Sequence, residues 1–174
     1  IQTDVQKAYP NATGPLIVHR LDMSTSGLML IAKMKQTHKN LQKQFEKRTV
    51  KKRYTALLDG IIKNQRGEIN LPLKVDFINR PMQQVCMKEG KNAKTRWELI
   101  TIKNNQSKVY FYPITGRTHQ LRMHAAHHLG LNCSIIGDDL YGTPSNRLCL
   151  HADRIEFVHP FNKQIMKFEL PAEF

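Results

Sequence analysis

A polar, glycine-terminated segment, HRLDMSTSG at residues 19–27, contains the first group that could do chemistry. It places one carboxylate, Asp22, shortly before the apolar run LMLIA at residues 28–32. Catalytic groups concentrate in loops that a rigid sheet holds in place. An aspartate beside serine and threonine is more commonly a turn or capping residue. Taken alone, the segment leaves Asp22 open as either a catalytic carboxylate or a turn residue.

A second segment, TGRTHQLRMH at residues 115–124, combines a glycine turn with an arginine at the predicted start of a helix. Helix N-termini and arginine side chains both attract carboxylates and phosphates. Three roles are therefore open for Arg117. It could bind a phosphate, pair with Asp22 and keep that carboxylate ionised, or cap its own loop.

Four histidines between residues 119 and 128 suggest a metal site. His124 and His128 have the i, i+4 spacing that puts two ligands on one face of a helix. No glutamate follows His124 as it does in HExxH, and no acidic or cysteine ligand lies nearby in the sequence. We therefore expect no metal, and expect these histidines to lie at the edge of the core.

The basic run KKRYTA at residues 51–56 ends in an aromatic side chain on a predicted strand. Stacking on an aromatic face stabilises an extruded base by about 1–3 kcal/mol. A tyrosine packed into the core is an equally good interpretation of Tyr54. The sequence contains no P-loop, GxGxxG or nucleophilic Cys/His pattern, so ATP, NAD and thiol chemistry are not expected.

Charge indicates the class of partner. The 174 residues include 27 Lys and Arg against 14 Asp and Glu, giving a formal charge of +13 and a pI near 9.9. A field of that sign favours polyanions, and nucleic acid above all. The three cysteines lie far apart without a CxxC pattern, which predicts a reducing, cytoplasmic compartment. No apolar run approaches the roughly 20 residues that span a membrane.

The elements that must position these segments follow from hydrophobic periodicity. Residues 28–32 predict a buried strand, and residues 34–48 an amphipathic helix with a basic outer face. The pattern predicts further strands at 51–60, 94–102, 108–114, 150–158 and 164–170, and a helix at 118–129 that Gly130 closes. Strands outnumber helices without βαβ alternation, so we expect an α+β fold with an antiparallel or mixed sheet.

Five ordered motifs between residues 19 and 160 resemble the RluA-type pseudouridine synthase family. They are residues 19–27, residues 52–56, residues 116–122, the GD and YG pairs at 137–138 and 141–142, and LHA at 150–152 with HP at 159–160. The resemblance implies a mixed, mostly antiparallel sheet with peripheral helices and a basic RNA cleft. It also implies cofactor-independent isomerisation of uridine to pseudouridine after base flipping. Residues 79–91 resemble one member that modifies both 23S rRNA and a tRNA anticodon stem-loop.

The same resemblance implies roles for individual residues. Asp22 matches the catalytic aspartate, Tyr54 the tyrosine that stacks on the target uracil, and Arg117 the arginine that pairs with the aspartate. Arg20 matches a residue that enters the RNA stack vacated by the flipped base. We expect RNA contacts from the polar side chains of these motifs, namely Arg20, His19, Thr25, Lys52, Arg53, Thr118, His119 and Arg122. Whether Asp22 attacks C1′ of the ribose, adds to C6 of the uracil or promotes a glycal route stays open.

The domain expectation is a single catalytic domain over residues 1–174 without an S4-like RNA-binding domain, acting as a monomer. Family members carry an Asn-Lys-Pro-type strand segment before this point, and we expect the domain to lack it. Two rival functions remain from the residues alone. One is a catalytically silent RNA-binding module, and the other is a zinc-dependent nucleic-acid hydrolase built on the histidine cluster.

Overall fold

The computed structural model describes residues 2–174. Its helices are α1 (Gln2–Ala8), α2 (Lys35–Glu46) and α3 (Gln120–Ala126). Its strands are β1 (Ser26–Gly27), β2 (Lys51–Asp59), β3 (Arg66–Asn70), β4 (Leu73–Val75), β5 (Gln83–Val85), β6 (Lys94–Lys103), β7 (Gln106–Pro113), β8 (Leu150–Val158) and β9 (Ile165–Glu169). No helix in this range is long and apolar enough to cross a membrane.

One seven-stranded sheet organises the chain. Its order is β1-β8-β2-β7-β6-β3, and β9 pairs with β8 beside β1. Every pair is antiparallel except the short parallel pair of β1 with β8. A separate hairpin joins β4 to β5. The predicted α+β class with a mostly antiparallel sheet is therefore confirmed.

The predicted strand at residues 28–32 is wrong. Only Ile31 in this run makes a bridge, to Ile17, and the pairing with β8 lies earlier, at Ser26 and Gly27. The Leu30 N–H donates to a side chain, His19 Nε2, at 2.9 Å rather than to a ladder carbonyl. Leu28 and Leu30 pack against a small core beneath α2. The run is apolar because it covers that core and not because it is a central strand.

The predicted helix at residues 118–129 is shorter at both ends. His119 has a left-handed backbone with φ 52°, and His127 is extended, so α3 holds two turns between them. Gly130 therefore does not end the helix itself, because it lies three residues beyond the C-cap, His127. A Cβ at Gly130 would lie 2.0 Å from the His124 carbonyl oxygen, so this close approach requires glycine.

The main core lies on one face of the sheet. Phe111 and Val109 of β7, Ala56 and Leu58 of β2, and Leu121 of α3 are buried there together. The opposite face of β2 and β7 is polar, as strand alternation requires when one face is buried. The second core packs Leu41 of α2 against β8. These two cores fix α2 and α3 on the same side of the sheet, where they border a cleft.

Candidate active site

A cleft of about 430 Å³ opens on the core side of the sheet. Its walls come from five parts of the chain: the loop around Asp22, the end of α2, the first half of β2, the turn from β7 into α3, and the start of β8. The lining residues are His19, Arg20, Leu21, Asp22, Thr25, Phe45, Glu46, Arg48, Val50, Lys52, Tyr54, residues 113–118, Gln120, Leu121 and Leu150. Segments separated by almost a hundred residues thus form one site.

Asp22 lies half-buried in the wall of this cleft. Its backbone carbonyl accepts the Thr25 N–H at 2.9 Å, which makes residues 22–25 a turn. Its carboxylate acts electrostatically on Tyr54 and on Tyr141, raising the pKa of each phenol in addition to the effect of burial. The turn interpretation therefore holds for the backbone of Asp22. Its side chain borders the cleft and is near enough to two tyrosines, Tyr54 and Tyr141, to affect their pKa values.

The sequence left Tyr54 open as either a base-stacking residue or a core residue, and its position in the structure is compatible with both. It lines the cleft and also packs against the main core. Burial, and then the negative charge of Asp22, raise the pKa of Tyr54 well above its usual range. Its hydroxyl therefore stays protonated at neutral pH and can donate a hydrogen bond, while an aromatic ring borders the space beside Asp22.

Arg117 does not form the predicted ion pair with Asp22. It is exposed at the rim of the cleft, and its Nε donates to the Asn92 carbonyl at 3.0 Å. Its backbone N–H donates to Gln120 Oε1 at 3.0 Å. The arginine is held at the site by its loop, with its guanidinium turned towards a neutral carbonyl.

Gln120 is a site residue that the sequence reasoning missed. It is buried, and its amide also accepts from Thr115 Oγ1 at 2.7 Å and donates to Thr95 Oγ1 at 2.9 Å. Gln120 thereby fixes the turn that carries Arg117 to β6. A signal existed in the sequence: a glutamine three residues after a turn residue is the spacing at which its side chain can cap the backbone N–H of that residue.

Lys52 is the half-buried cation of the cleft. Burial lowers the pKa of its ammonium group, and none of the described residues forms an ion pair with it. Its ammonium group lies beside the turn at Gly116, where a Cβ would be in ordinary van der Waals contact with Lys52 Nζ, at 3.8 Å. A positive charge without a carboxylate partner favours an anion in the same space.

Arg20, Thr25 and Thr118 line the cleft as well. The Thr25 hydroxyl oxygen is buried without a hydrogen-bond partner among residues 2–174. A buried hydroxyl normally has a partner, so this one is available to a group that enters the cleft. Three of the predicted RNA-binding residues are therefore placed where they can contact a substrate.

His19 lines the cleft without being a cation. Burial, followed by the nearby charge of Lys52, lowers the pKa of His19 to about 4. Its Nε2 accepts the Leu30 N–H, and its ring stacks on Phe45 with centroids 4.6 Å apart. The neutral imidazole thus fixes the loop that carries Asp22, and its predicted contact with RNA stays a prediction.

Arg53 points away from the cleft. Strand alternation puts Lys52 and Tyr54 on the cleft face of β2 and Arg53 on the other. There Arg53 pairs with the buried carboxylate of Asp153 at 2.7 Å and lies over the ring of Tyr110. Arg53 therefore does not line the cleft, and its contact with RNA stays a prediction.

Arg122 and His119 belong to a buried network behind the cleft. Arg122 donates to both carboxylate oxygens of Asp138, at 2.9 and 2.5 Å, and its Nη2 also donates to Asp139 Oδ1 at 2.8 Å. His119 Nδ1 lies 2.9 Å from the Tyr141 hydroxyl, which accepts the Gln83 N–H from the β4–β5 hairpin. These side chains hold the start of α3 to its surroundings. Neither residue lines the cleft, and contact of either residue with RNA stays a prediction.

The histidine cluster does not form a metal site in the described part of the chain, where no group of three or more His, Cys, Asp or Glu is suitably placed. His124 is fully buried and contacts Thr95 Oγ1 at 2.9 Å and the Leu71 carbonyl at 3.2 Å. His128 lies beyond the end of α3 and stacks on His127. The i, i+4 spacing fails because the helix ends before the second histidine.

Comparison with known proteins identifies the family of the chain. Residues 2–127 match the family model described as RNA pseudouridylate synthase. The chain belongs to this family. Relatives named dual-specificity RNA pseudouridine synthase RluA include the Pasteurella multocida protein, 45% identical over 90% of this chain and 73% of its own length. The Escherichia coli K12 protein is 40% identical over 100% of this chain and 80% of its own length.

Two solved human structures are similar to the fold of this synthase. The human RNA pseudouridylate synthase domain containing 1 superposes with a TM-score of 0.82 at 28% identity, covering 99% of this chain and 74% of its own. A second human structure, named domain containing 4, has a TM-score of 0.78 at 22% identity over 98% and 78%, and supports the fold alone. The resemblance drawn from five motifs is confirmed, and the synthase is an RNA-modifying isomerase.

Proposed function

We propose that Asp22 is the catalytic carboxylate of this synthase and that the cleft receives a uridine flipped out of a structured RNA. One observation carries the proposal: Asp22 and Tyr54, from separate motifs, border the same cleft closely enough for the carboxylate to raise the pKa of the phenol. An aromatic ring beside a carboxylate is what a flipped base needs, because its ring must be held while its ribose or its ring carbon is attacked.

The reaction balances within the substrate. The bond from uracil N1 to C1′ of the ribose breaks, a bond from C5 to the same C1′ forms, the C5 proton leaves, and N1 gains a proton. No electrons or atoms are gained or lost overall, so the residues of the cleft supply only charge, position and proton transfer. The point at which Asp22 bonds to the substrate is left open between C1′, C6 and a glycal route.

Tyr54 and the cations have separate roles in this proposal. The Tyr54 ring stacks on the uracil, and its protonated hydroxyl donates rather than abstracts a proton. Lys52, which has no carboxylate partner, faces the phosphate or ribose of the flipped nucleotide. Arg20 occupies the stack that the base has left. Arg117 is held by a neutral carbonyl and is free to turn towards a phosphate or towards Asp22 when RNA enters.

The substrate range follows the relatives. Their name specifies dual specificity, and we infer that this synthase modifies more than one RNA, with 23S rRNA and a tRNA anticodon stem-loop as the candidates from the motif resemblance. We also infer that it acts as a cytoplasmic monomer. Three free cysteines, Cys86, Cys133 and Cys149, support a reducing compartment.

Asp22→Asn tests the proposal most directly. The change keeps the shape of the side chain and removes its negative charge, so we expect pseudouridine formation to fall by roughly a thousandfold or more. Binding of a stem-loop should be retained or tighter, because a carboxylate no longer faces phosphates. The measurements are turnover on a stem-loop and a binding titration with the same RNA.

Asp59→Asn is the matched control, because Asp59 is an exposed carboxylate at the far end of the same strand that carries Tyr54. It should leave both quantities unchanged. Substantial turnover by Asp22→Asn would refute the catalytic assignment. Equal losses of turnover and binding would instead favour a structural Asp22 in a silent RNA-binding protein.

A further inference from the structure

Four lysines form a single stripe along α2. Lys35, Lys39, Lys43 and Lys47 follow one another at i, i+4 spacing, from the first residue of the helix to its C-cap. All four are exposed. Neighbouring members are one helical turn apart, and the stripe is about 18 Å long. We call these four residues the lysine stripe.

The stripe as a whole is not explained by the stability of the helix. Only its C-terminal members, Lys43 in the last turn and Lys47 at the C-cap, are favoured by the helix dipole. Like charges at i, i+4 repel one another on a helix surface. Lys35 also lies in the first turn, where the helix dipole disfavours a cation and where α2 has no acidic residue. None of the four lysines forms an ion pair with a side chain in residues 2–174. A row of like charges that repel one another and have no carboxylate partner in the described residues points to a partner outside the chain.

The stripe continues into the cleft. Phe45 and Glu46, from the last turn of α2, and Arg48, directly after it, line the cleft that contains Asp22. An RNA strand that leaves the cleft along α2 therefore passes from Arg48 to the C-terminal end of the stripe. Cations one helical turn apart have a spacing of the same order as successive phosphates along a nucleic-acid strand.

We propose that the lysine stripe binds the sugar-phosphate backbone of the RNA arm that flanks the target uridine. This inference rests on the proposed function, since it takes the cleft as the place where the uridine reacts. The stripe supplies affinity without touching the reacting nucleotide. It therefore lowers the KM for a structured RNA and leaves kcat unchanged.

The test compares two charge-matched double variants. K39Q/K43Q neutralises the middle of the stripe, and K63Q/K103Q neutralises two exposed, unpaired lysines near the distal end of the β6–β7 hairpin. Lys103 is about 26 Å along the strands from the end of β7 that lines the cleft. Both variants lose two positive charges, so they separate a local contact from the general field of the protein.

For K39Q/K43Q we expect the KM for a stem-loop to rise about tenfold, with kcat unchanged at saturation. The slope of log affinity against log salt should become shallower by about 1.5, because two phosphate contacts are lost. K63Q/K103Q should change neither by as much as half these amounts. An RNA of about five nucleotides around the target uridine, too short to reach the stripe, should not distinguish K39Q/K43Q from the wild-type protein.

Thermal unfolding provides an independent readout. K39Q/K43Q should melt close to the wild-type temperature at low salt, because the relief of like-charge repulsion on α2 offsets the loss of the favourable dipole interaction of Lys43. A large fall in melting temperature would overturn the argument that the partner of the stripe lies outside the chain. The proposal is also overturned if both double variants have the same salt slope, or if K39Q/K43Q loses binding to phosphatidylserine vesicles while its RNA binding is unchanged.

These outcomes are distinguishable from failure of the proposed function. If the stripe is not an RNA surface, wild-type turnover and its loss in Asp22→Asn are unaffected. If Asp22 is not catalytic, Asp22→Asn turns over RNA, and the KM effect of K39Q/K43Q can still be measured on that activity.

Discussion

The two faces of β2 use the same kind of residue for opposite purposes. On the cleft face, Lys52 is half-buried without a carboxylate partner. On the other face, Lys51 pairs with Glu156 at 2.8 Å and Arg53 pairs with Asp153 at 2.7 Å. Three consecutive cations thus divide into two structural ion pairs and one free charge. The basic run is therefore not uniform: only its cleft-facing member has no carboxylate partner among the described residues.

This difference shows what marks a functional cation in a strongly basic protein. Where each cation has a nearby carboxylate, the local field is nearly neutral and the side chains stiffen the sheet. Arg154 and Lys167 extend that pattern, since both pair with Glu169 on the back of the sheet. Where cations line a concave surface without acidic partners, they attract phosphate. The absence of an internal partner is more informative than the positive charge.

The largest loss of stability is expected from removing Arg53, on the back face of the sheet. Asp153 is buried, and Arg53→Ala would leave its carboxylate without a cation, so we expect a loss of about 3 kcal/mol in the free energy of unfolding. The measurement is urea unfolding at neutral pH. Below the unfolding transition, turnover and KM should match the wild-type values, and a selective rise in KM would place Arg53 in the RNA interface after all.

A fall in pH separates the contribution of the buried histidine His124 from that of the ion pairs on the back of the sheet, without mutation. Burial lowers the pKa of His124 to about 4 from an unfolded value near 6.5, so this neutral imidazole contributes its full stability above pH 6.5. That contribution, about 3 kcal/mol, is lost as the pH falls from 6.5 towards 4, because the unfolded chain takes up the proton first. Stability against urea from pH 7 to 4, in wild type and His124→Gln, measures this term. A wild-type slope that is retained in His124→Gln would contradict it.

The back-face ion pairs should respond in a lower pH window. Lys51, by its hydrogen bond, lowers the pKa of Glu156 below its ordinary value. A depressed carboxyl pKa contributes stability above the unfolded value, which is near 4.3, and that stability disappears as the pH falls through the folded value. Stability lost between pH 6.5 and 4.5 therefore belongs to buried histidines such as His124, and stability lost at lower pH to the ion pairs.

Lys52→Gln would test the cleft face. It removes a cation proposed to contact RNA, while inside the protein it removes only a distant contact with the Phe45 ring, 5.9 Å from Lys52 Nζ. We therefore expect catalytic efficiency, kcat/KM, to fall about tenfold, which corresponds to about 1.4 kcal/mol. The free energy of unfolding should stay the same or rise, because a desolvated charge is removed. Initial rates on a stem-loop, together with urea unfolding, measure the two effects. An unchanged kcat/KM would show that the half-buried lysine does not meet substrate.

Lys51→Gln should give the smallest change. The Lys51 side chain is 78% exposed in its pair with Glu156, and exposed pairs contribute no more than about 1 kcal/mol. We expect neither turnover nor stability to move beyond that amount at physiological salt. A kcat/KM effect as large as that of Lys52→Gln would contradict the division of the basic run between two faces.

The sequence predicts most of the elements because their signals are local. Strand β2, predicted at 51–60, is observed at Lys51–Asp59, and β8 has the predicted bounds, Leu150–Val158. The helix predicted at 34–48 is observed at Lys35–Glu46. The apolar run at residues 28–32 misled the prediction because burial beneath a helix and burial in a sheet require the same residue types. Only the contacts of Leu28 and Leu30 distinguish the two.

The sequence alone was enough to predict the family, the fold class and the cleft-facing motif residues Asp22, Tyr54 and Lys52. These predictions depend on motif order and strand alternation, which follow directly from the order of the residues. The partners of the other cations were not. Arg53 and Lys51 meet carboxylates 100 and 105 residues away, and Arg117 meets a carbonyl 25 residues away rather than Asp22. An ion pair depends on distance in space, so only the folded sheet decides which charges are satisfied internally and which remain for RNA.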